Sequence, residues 1–228
     1  MQTDFLSWLQ NWYKNLPATK ISDVVKDPKK TALVSVDMVI GFCHKGALAS
    51  PKIASIIPDL ISLFTKLHDV GIGYFLLFQD THDSQTPEFS SYPPHCIKGT
   101  EEAETIPEYV ELPFATKFTI FEKNSTDAFA DTKFAEWLKT HPEVDTFVVV
   151  GNCTDICVYQ AAIGLKTRAN SRNFNRRVVV PANCVSTFDL PVDRAKTLGA
   201  FPHDAALLQS IFLYHMHLNG VEVVSRIE

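Results

Sequence analysis

The sequence predicts an α/β fold: a single-domain, three-layer sandwich in which a mainly parallel sheet is flanked by helices. Several short apolar runs are too continuous for strands with one solvent-facing side, and they are typical of strands covered on both faces. Helical patterns separate these runs, and such alternation indicates parallel pairing through right-handed crossovers. No internal repeat and no linker rich in Gly, Pro or Ser divides the chain.

The elements follow in order along the chain. An amphipathic helix is predicted over residues 4–16, and residues 17–30 form a polar connector to the first buried strand at 32–37. Further strands are predicted at 73–79, 118–121, 146–151, 177–181 and 221–225, and further helices at 52–69, 132–139, 155–169, 191–198 and 203–218. Pro58 indicates that the helix over 52–69 begins late or bends. We therefore divide the chain into residues 1–30, helix and connector, and residues 31–228, the main domain.

Composition narrows the classes of function. The 228 residues include 21 Lys and Arg against 26 Asp and Glu, which gives a formal net charge of -5. This charge argues against a general nucleic-acid or anionic-membrane binder and favours a small-molecule substrate. No uncharged apolar stretch approaches the roughly 20 residues that span a bilayer. The cysteines number five, an odd count, and no secretory leader pattern is present, so we expect a reduced protein of the cytoplasm.

Reactive residues fall at or just beyond the ends of four predicted strands. Asp37 closes the first strand, Asp80 follows the second and Lys123 follows the third. Cys157 lies in the first turn of the helix that follows the strand at 146–151. Because ligands of open parallel sheets gather beyond the carboxyl ends of the strands, we expect these four side chains to converge.

Cys157 is the strongest candidate nucleophile. A helix N-terminus stabilises a thiolate, and an ammonium group at Lys123 would lower the pKa of the thiol further. Asp37 would accept the thiol proton and later donate it to a leaving amine. Each residue also has an ordinary interpretation: a core cysteine, a solvated lysine, a strand-end aspartate that caps a helix. Their joint placement favours catalysis.

The segment after the second strand, QDTHDSQTPEFSSYPPHCIKGTEEAE, is a candidate metal loop. It contains Asp80, His82, Glu88 and His95. Imidazole and carboxylate ligands together suit zinc, iron or manganese, and Asp-x-His can bring an oxygen and a nitrogen to one centre. Two prolines stiffen the backbone before His95. The alternative is an ordinary polar loop, and the spacing alone leaves both interpretations open.

Three motifs together resemble the isochorismatase-like cysteine hydrolases. VSVDMVIGFC, FEKNSTDAF and VVVGNCTDICV stand in that family's order, and the resemblance covers roughly residues 30–227. Within this superfamily, D-x-H followed by YPPHCIKGTEEAE is similar to the nicotinamidases, and GNCTDICV with STFDLP is similar to their plant-type members.

The resemblance assigns roles to the candidate residues. It implies Asp37, Lys123 and Cys157 as a catalytic triad. The residues implied as metal ligands are Asp80, His82 and His95, with Glu88 as a further ligand where better-known bacterial relatives carry a histidine.

The resemblance also implies a substrate pocket and an oxyanion hole. Phe42 and Tyr92 would enclose a flat pyridine ring, with Tyr92 at a position where the family often has Trp. A cis peptide bond would precede Cys153, and the backbone N–H groups of Cys153 and Cys157 would form the oxyanion hole.

The function implied is the hydrolysis of nicotinamide to nicotinate and ammonia through a cysteine thioester, for NAD salvage. The implied cofactor is a divalent metal ion, zinc in the first place, with iron or manganese as alternatives. Two other functions stay open: a metal-free amidase acting on another small amide or ureido substrate, and a catalytically silent oligomeric binding protein. We expect a homo-oligomer, because Trp8 and Trp12 of the N-terminal helix could cover a neighbouring subunit as well as their own core.

Overall fold

A seven-stranded parallel sheet organises residues 2–228, the part of the chain that the computed structural model describes. The strands are β1 Thr31–Val36, β2 Tyr74–Asp80, β3 Phe118–Lys123, β4 Thr146–Asn152, β5 Arg177–Pro181, β6 Val185–Ser186 and β7 Glu222–Val224. Their order is β3-β2-β1-β4-β5-β7, and the two-residue β6 pairs with the end of β4. The predicted α/β class with a parallel sheet is confirmed.

Helices cover both faces of the sheet. They are α1 Gln2–Lys14, α2 Ile21–Val24, α3 Ile40–Cys43, α4 Pro51–Ala54, α5 Ile57–Asp69, α6 Pro107–Val110, α7 Phe134–Thr140, α8 Cys157–Asn170, α9 Val192–Leu198 and α10 Ala205–Leu218. Within residues 2–228, no helix has the length and apolar character needed to cross a membrane.

Two apolar clusters make the three layers. Alternate residues of β4 point to opposite faces, so that Val148 packs with α5 on one side while Val149 packs with α8 and α10 on the other. Strands buried on both faces in this way read as continuous apolar runs, which is why the central strands could be predicted from the sequence.

One predicted strand is not covered on both faces. β3 lies at the edge of the sheet, and Thr119, Ile120 and Glu122 on it are exposed. The prediction of a fully covered strand at 118–121 is therefore wrong. The run FTIF is apolar in sequence, but a strand at the edge of a sheet can leave an apolar side chain in solvent.

The helix predicted over 52–69 is divided. A short helix, α4, ends at Ala54, and α5 begins at Ile57 with Pro58 in its first turn. Proline tolerates this position because the first amides of a helix have no partner within it. The expectation that the main helix begins late is confirmed.

The N-terminal helix packs against its own chain. The Trp12 ring lies 5.3 Å from that of Tyr214 in α10, and Trp12, Tyr13 and Leu16 cover the apolar cluster on that face. The connector is not wholly irregular, since it contains α2 and a parallel bridge between Thr19 and Ile227. Of the two open roles for α1, packing on its own core is the one observed.

The sheet register brings the reactive residues to one edge. Asp80 and Lys123 end β2 and β3 and are direct partners in the parallel ladder. On the other side of β1, Val36 pairs with Gly151, so Asp37 and Asn152 leave their strands at the same level.

Gly151 is required for this register. Its φ is +110°, and a Cβ atom built there would lie 2.1 Å from the carbonyl oxygen of Val36. We predict that Gly151→Ala lowers the free energy of unfolding by about 3 kcal/mol or more, measured by urea denaturation. Gly73→Ala is the matched control, because no atom lies within 4 Å of its Cβ position. Equal stability of the two variants would contradict this account.

Candidate active site

A buried lysine occupies the centre of the site. The Lys123 Nζ lies 2.8 Å from Asp37 Oδ2 and also contacts Asp80 Oδ1, and all three side chains are buried. It lies 3.6 Å from the Cys157 Sγ and donates to the carbonyl oxygen of Ser125 at 3.2 Å. A lysine is rarely buried unless it is paired, and here two carboxylates pair with one ammonium.

The backbone around Asp37 fixes its carboxylate. Asp37 has a φ of +52°, a left-handed conformation that aspartate tolerates better than most residues. Its Oδ1 accepts the backbone N–H of Asp80 at 2.9 Å, and its carbonyl oxygen accepts the Asn152 side-chain amide at 2.6 Å. The acid is therefore held from both neighbouring strands.

Cys157 is the first residue of α8, directly beyond the end of β4. Its sulfur and carboxylate oxygens of Asp37 and Asp80 all lie within 4.8 Å of one another. The candidate nucleophile, acid and cation thus converge as the sequence predicts.

The protonation states follow from burial and charge. Burial raises the pKa of Asp37 to about 6, Asp80 adds to the increase, and Lys123 opposes it. Burial also raises the pKa of the Cys157 thiol well above its usual value, and the lowering effect of Lys123 is the smaller of the two. Lys123 does favour the thiolate, as the sequence predicts, but the opposing effect of burial on the pKa of the thiol is larger. Without a metal ion, these directions favour a Cys157 thiol beside the Asp37 carboxyl group.

The residues of the metal loop also converge. Ligand atoms of Asp80, His82 and His95 lie within 4.8 Å of one another, and all three residues are buried. The Nδ1 atoms of the histidines face other partners: the Asn124 Oδ1 at 3.3 Å from His82, and the Pro93 carbonyl oxygen at 2.8 Å from His95. Such partners orient metal-ligating histidines.

These residues fit a divalent metal ion. The His82 Nε2 is buried and has no hydrogen-bond partner within residues 2–228, and it lies 3.5 Å from Asp80 Oδ1. Glu88 approaches from the loop, with its Oε1 3.8 Å from the same nitrogen. Two imidazole nitrogens with one or two carboxylates form a donor set suited to zinc, iron or manganese.

Aromatic rings line the approach to the histidines. The Phe42 ring lies 5.5 Å and the Tyr92 ring 6.3 Å from the His95 ring. Phe89 contacts both histidines, with centroid distances of 5.6 Å. The sequence analysis missed Phe89, although an aromatic one residue after Glu88 was a signal for it.

The backbone before Cys157 turns sharply. The Asn152–Cys153 peptide bond is cis, as the resemblance implies. The carbonyl oxygen of Cys153 accepts the N–H groups of Ile156 and Val158, whereas the N–H groups of Cys153 and Cys157 donate to no protein acceptor in the described chain. Both donors are therefore available to a ligand.

Two asparagines that the sequence analysis missed hold site residues in place. Asn124 bonds His82 and accepts the backbone N–H of Asp83, and Asn152 bonds the carbonyl oxygen of Asp37. Each stands next to a residue that was singled out, Lys123 or Cys153, and that adjacency was the signal.

The comparisons with known proteins agree with this geometry. Residues 31–209 match the family model described as the isochorismatase domain. The chain belongs to the isochorismatase family. Nicotinamidase 1 of Arabidopsis thaliana is 33% identical over 222 residues, which cover 90% of this chain and 89% of that protein.

Solved structures of the isochorismatase fold superimpose on most of the chain. A nicotinamidase from Bacillus subtilis, 27% identical, has a TM-score of 0.65 and covers 86% of this chain and 99% of its own. The pyrazinamidase of Pyrococcus horikoshii in complex with zinc, 23% identical, has a TM-score of 0.65 and covers 86% of this chain and 98% of its own.

The buried ammonium can be tested by stability. We predict that Lys123→Met lowers the free energy of unfolding by about 3–5 kcal/mol at neutral pH, because two buried carboxylates lose their cation. Urea denaturation measures the change. Lys98→Met is the control, since Lys98 pairs with Glu122 in solvent and its loss leaves the unfolding midpoint in place. An unchanged midpoint for Lys123→Met would refute the pairing.

Proposed function

We propose that this isochorismatase-family protein hydrolyses nicotinamide to nicotinate and ammonia with Cys157 as the nucleophile. The observation that carries the proposal is the position of the Cys157, Asp37 and Lys123 cluster beside the Asp80, His82 and His95 cluster, with Asp80 common to both. Similarity to Nicotinamidase 1 over most of both chains supports the choice of substrate.

The first half of the reaction forms a thioester. The Cys157 thiol transfers its proton to the Asp37 carboxylate while the sulfur attacks the carboxamide carbon, so the new S–C bond forms without a free thiolate in the resting site. Asp37 then donates the proton to the departing nitrogen, the C–N bond breaks and ammonia leaves. A pKa near 6 suits Asp37 to both transfers.

The second half returns the enzyme to its initial state. Asp37 accepts a proton from water, the resulting hydroxide attacks the thioester carbon, and the C–S bond breaks to give nicotinic acid, which loses its proton to solvent as nicotinate. The proton on Asp37 returns to the Cys157 sulfur. Lys123 stays protonated throughout, because the two carboxylates raise its pKa well above the usual value against the lowering effect of burial.

The N–H groups of Cys153 and Cys157 would stabilise the oxyanion of both tetrahedral intermediates. Neither donates to a protein acceptor within the described residues, so both are free to donate to an oxyanion. Loss of one such donor typically raises a barrier by about 2.7–4 kcal/mol.

The pocket would hold a pyridine ring between Phe42 and Tyr92. We propose that Asp80, His82 and His95, with Glu88, hold a divalent metal ion, zinc in the first place. Bound there, the ion would supply a Lewis-acid centre for the ring nitrogen of the substrate. The orphaned His82 Nε2 is the observation that favours an ion over an ordinary polar loop.

We place the reaction in NAD salvage in the cytoplasm and expect a homo-oligomer. The five cysteines are all free thiols, which agrees with a reducing compartment. The exposed Phe5 and Trp8 of α1 leave apolar surface that a second subunit could cover.

The nucleophile has a direct test. We predict that Cys157→Ala lowers the kcat for ammonia release from nicotinamide by at least about a thousandfold, because no other group can form the acyl intermediate. Coupled glutamate dehydrogenase reports the ammonia. Cys184→Ala removes another buried thiol, on which the charges of Asp59 and Lys66 act, and is expected to keep kcat within a few-fold. Normal turnover in Cys157→Ala would exclude the thioester route.

Metal removal separates the two enzymatic alternatives. We expect protein purified without added metal to contain about one equivalent of a divalent ion by elemental analysis, and His95→Ala to contain much less. Removal by a chelator should abolish nicotinamide hydrolysis, and zinc, iron or manganese should restore it. Full activity in metal-free protein, or hydrolysis of ureido compounds in place of nicotinamide, would favour the metal-free amidase. Ligand binding without turnover would favour the silent binding protein.

A further inference from the structure

A second, partly buried ion pair joins Asp155 to His203 at the turn of residues 153–156, the nucleophile turn, which precedes Cys157. Asp155 stands between Cys153 and Cys157, the residues whose N–H groups form the proposed oxyanion hole. Its Oδ2 lies 2.8 Å from the His203 Nε2, and its Oδ1 accepts the Thr187 hydroxyl at 2.5 Å. The triad and the metal cluster use none of these side chains.

The partners of His203 determine its charge. Its Nδ1 lies 2.9 Å from the carbonyl oxygen of Phe188, which can only accept a hydrogen bond, so Nδ1 carries a proton. Its Nε2 faces the Asp155 carboxylate, which also accepts. In a neutral ring, one of the two nitrogens would direct its lone pair at an acceptor oxygen. Only the imidazolium can donate to both the Phe188 carbonyl oxygen and the Asp155 carboxylate.

The ring is anchored independently of Asp155. The backbone of His203 forms an antiparallel bridge with Leu190, with N–H to oxygen bonds of 2.8 Å in both directions. Its imidazole also stacks on the Phe188 ring at a centroid distance of 3.8 Å. This bridge joins the two ends of the loop that contains α9, so the backbone at His203 is fixed. The His203 side chain can therefore hold the nucleophile turn in place.

We propose that the His203 imidazolium is a positioning residue that fixes, through Asp155, the turn carrying the N–H groups of Cys153 and Cys157. It touches no reacting atom, and the proposal rests on the proposed function of that turn as an oxyanion hole. Thr154 supports the same turn by donating its N–H to the Ser186 carbonyl oxygen and its hydroxyl to Gln209. His203 adds the one part of this support that titrates near neutral pH.

The direction of the pH dependence follows from the charges. The charged groups facing His203 are Asp155 from the turn before α8 and Asp189 from the segment after β6; burial lowers the pKa of His203, but these groups raise it above 6.5. The ion pair of Asp155 with His203 is therefore complete below that raised pKa and is lost as the pH rises through it. If the ion pair had only a structural role, its loss would lower the free energy of unfolding but would leave kcat and KM unchanged.

The test compares His203→Gln with the wild type across pH. Glutamine keeps one neutral donor but cannot satisfy both acceptors. We expect kcat to fall about tenfold at pH 6.5, less than the loss of an oxyanion donor, with KM within about threefold. The ratio of wild-type to variant kcat should decline as the pH passes the His203 midpoint, which NMR titration of the imidazole gives directly. His215→Gln, a change at an exposed histidine on α10, should leave kcat unchanged.

Two further measurements make the outcomes decisive. In Asp155→Asn, the His203 midpoint should fall toward that of an ordinary histidine.

If wild-type protein releases no ammonia from nicotinamide, the proposed function fails. The same pH-dependent ratio is then measured on the rate at which iodoacetamide alkylates Cys157, with Cys157→Ser as the blank. Three outcomes would overturn the positioning role of His203. They are a wild-type to His203→Gln ratio near one, a ratio independent of pH, and a His203 midpoint at or below that of an ordinary histidine.

Discussion

The buried ammonium of Lys123 is the constraint on which the rest of the site depends. Burying a lysine and a carboxylate costs several kcal/mol for each ion. One pair at 2.8 Å gives roughly 6 kcal/mol of attraction at an effective dielectric constant of 20, which barely offsets that cost. The second carboxylate, Asp80, makes the cation favourable, and it also places that aspartate beside the two histidines. The candidate nucleophile site and the candidate metal site share Asp80 and are therefore one electrostatic unit.

This unit explains how a buried thiol could react. In the absence of a metal ion, two carboxylates and one ammonium leave a net negative charge next to Cys157, so a further anion at the sulfur is disfavoured, and burial of the thiol acts in the same direction. Proton transfer to Asp37 during the attack avoids that anion. The same charge balance keeps Asp80 ionised, because Lys123 lowers its pKa against the effect of burial, and an ionised carboxylate is the form that binds a metal ion.

Much of this arrangement could be predicted from the sequence, for definite reasons. Covered parallel strands read as continuous apolar runs, and Asp37, Asp80 and Lys123 stand at or next to strand ends, so their convergence follows once the strands are aligned. The exposed face of β3 could not be predicted, because strand order decides which strand lies at the edge. The two-residue β6 is too short to show a period. The pKa of Cys157 depends on burial, which the helix position alone does not reveal. Asn124 and Asn152 act through side-chain hydrogen bonds, and their adjacency to Lys123 and Cys153 was the one sign of them in the sequence.

The central claim is that Cys157 carries the acyl group of nicotinamide during turnover. The most direct measurement is rapid acid quench of the protein with nicotinamide, followed by intact-mass and peptide mass spectrometry. We expect a nicotinoyl adduct on the peptide containing Cys157, labile to hydroxylamine, and its absence in Cys157→Ala. Rapid release of nicotinate and ammonia with no adduct at Cys157, or with the adduct on another residue, would contradict it.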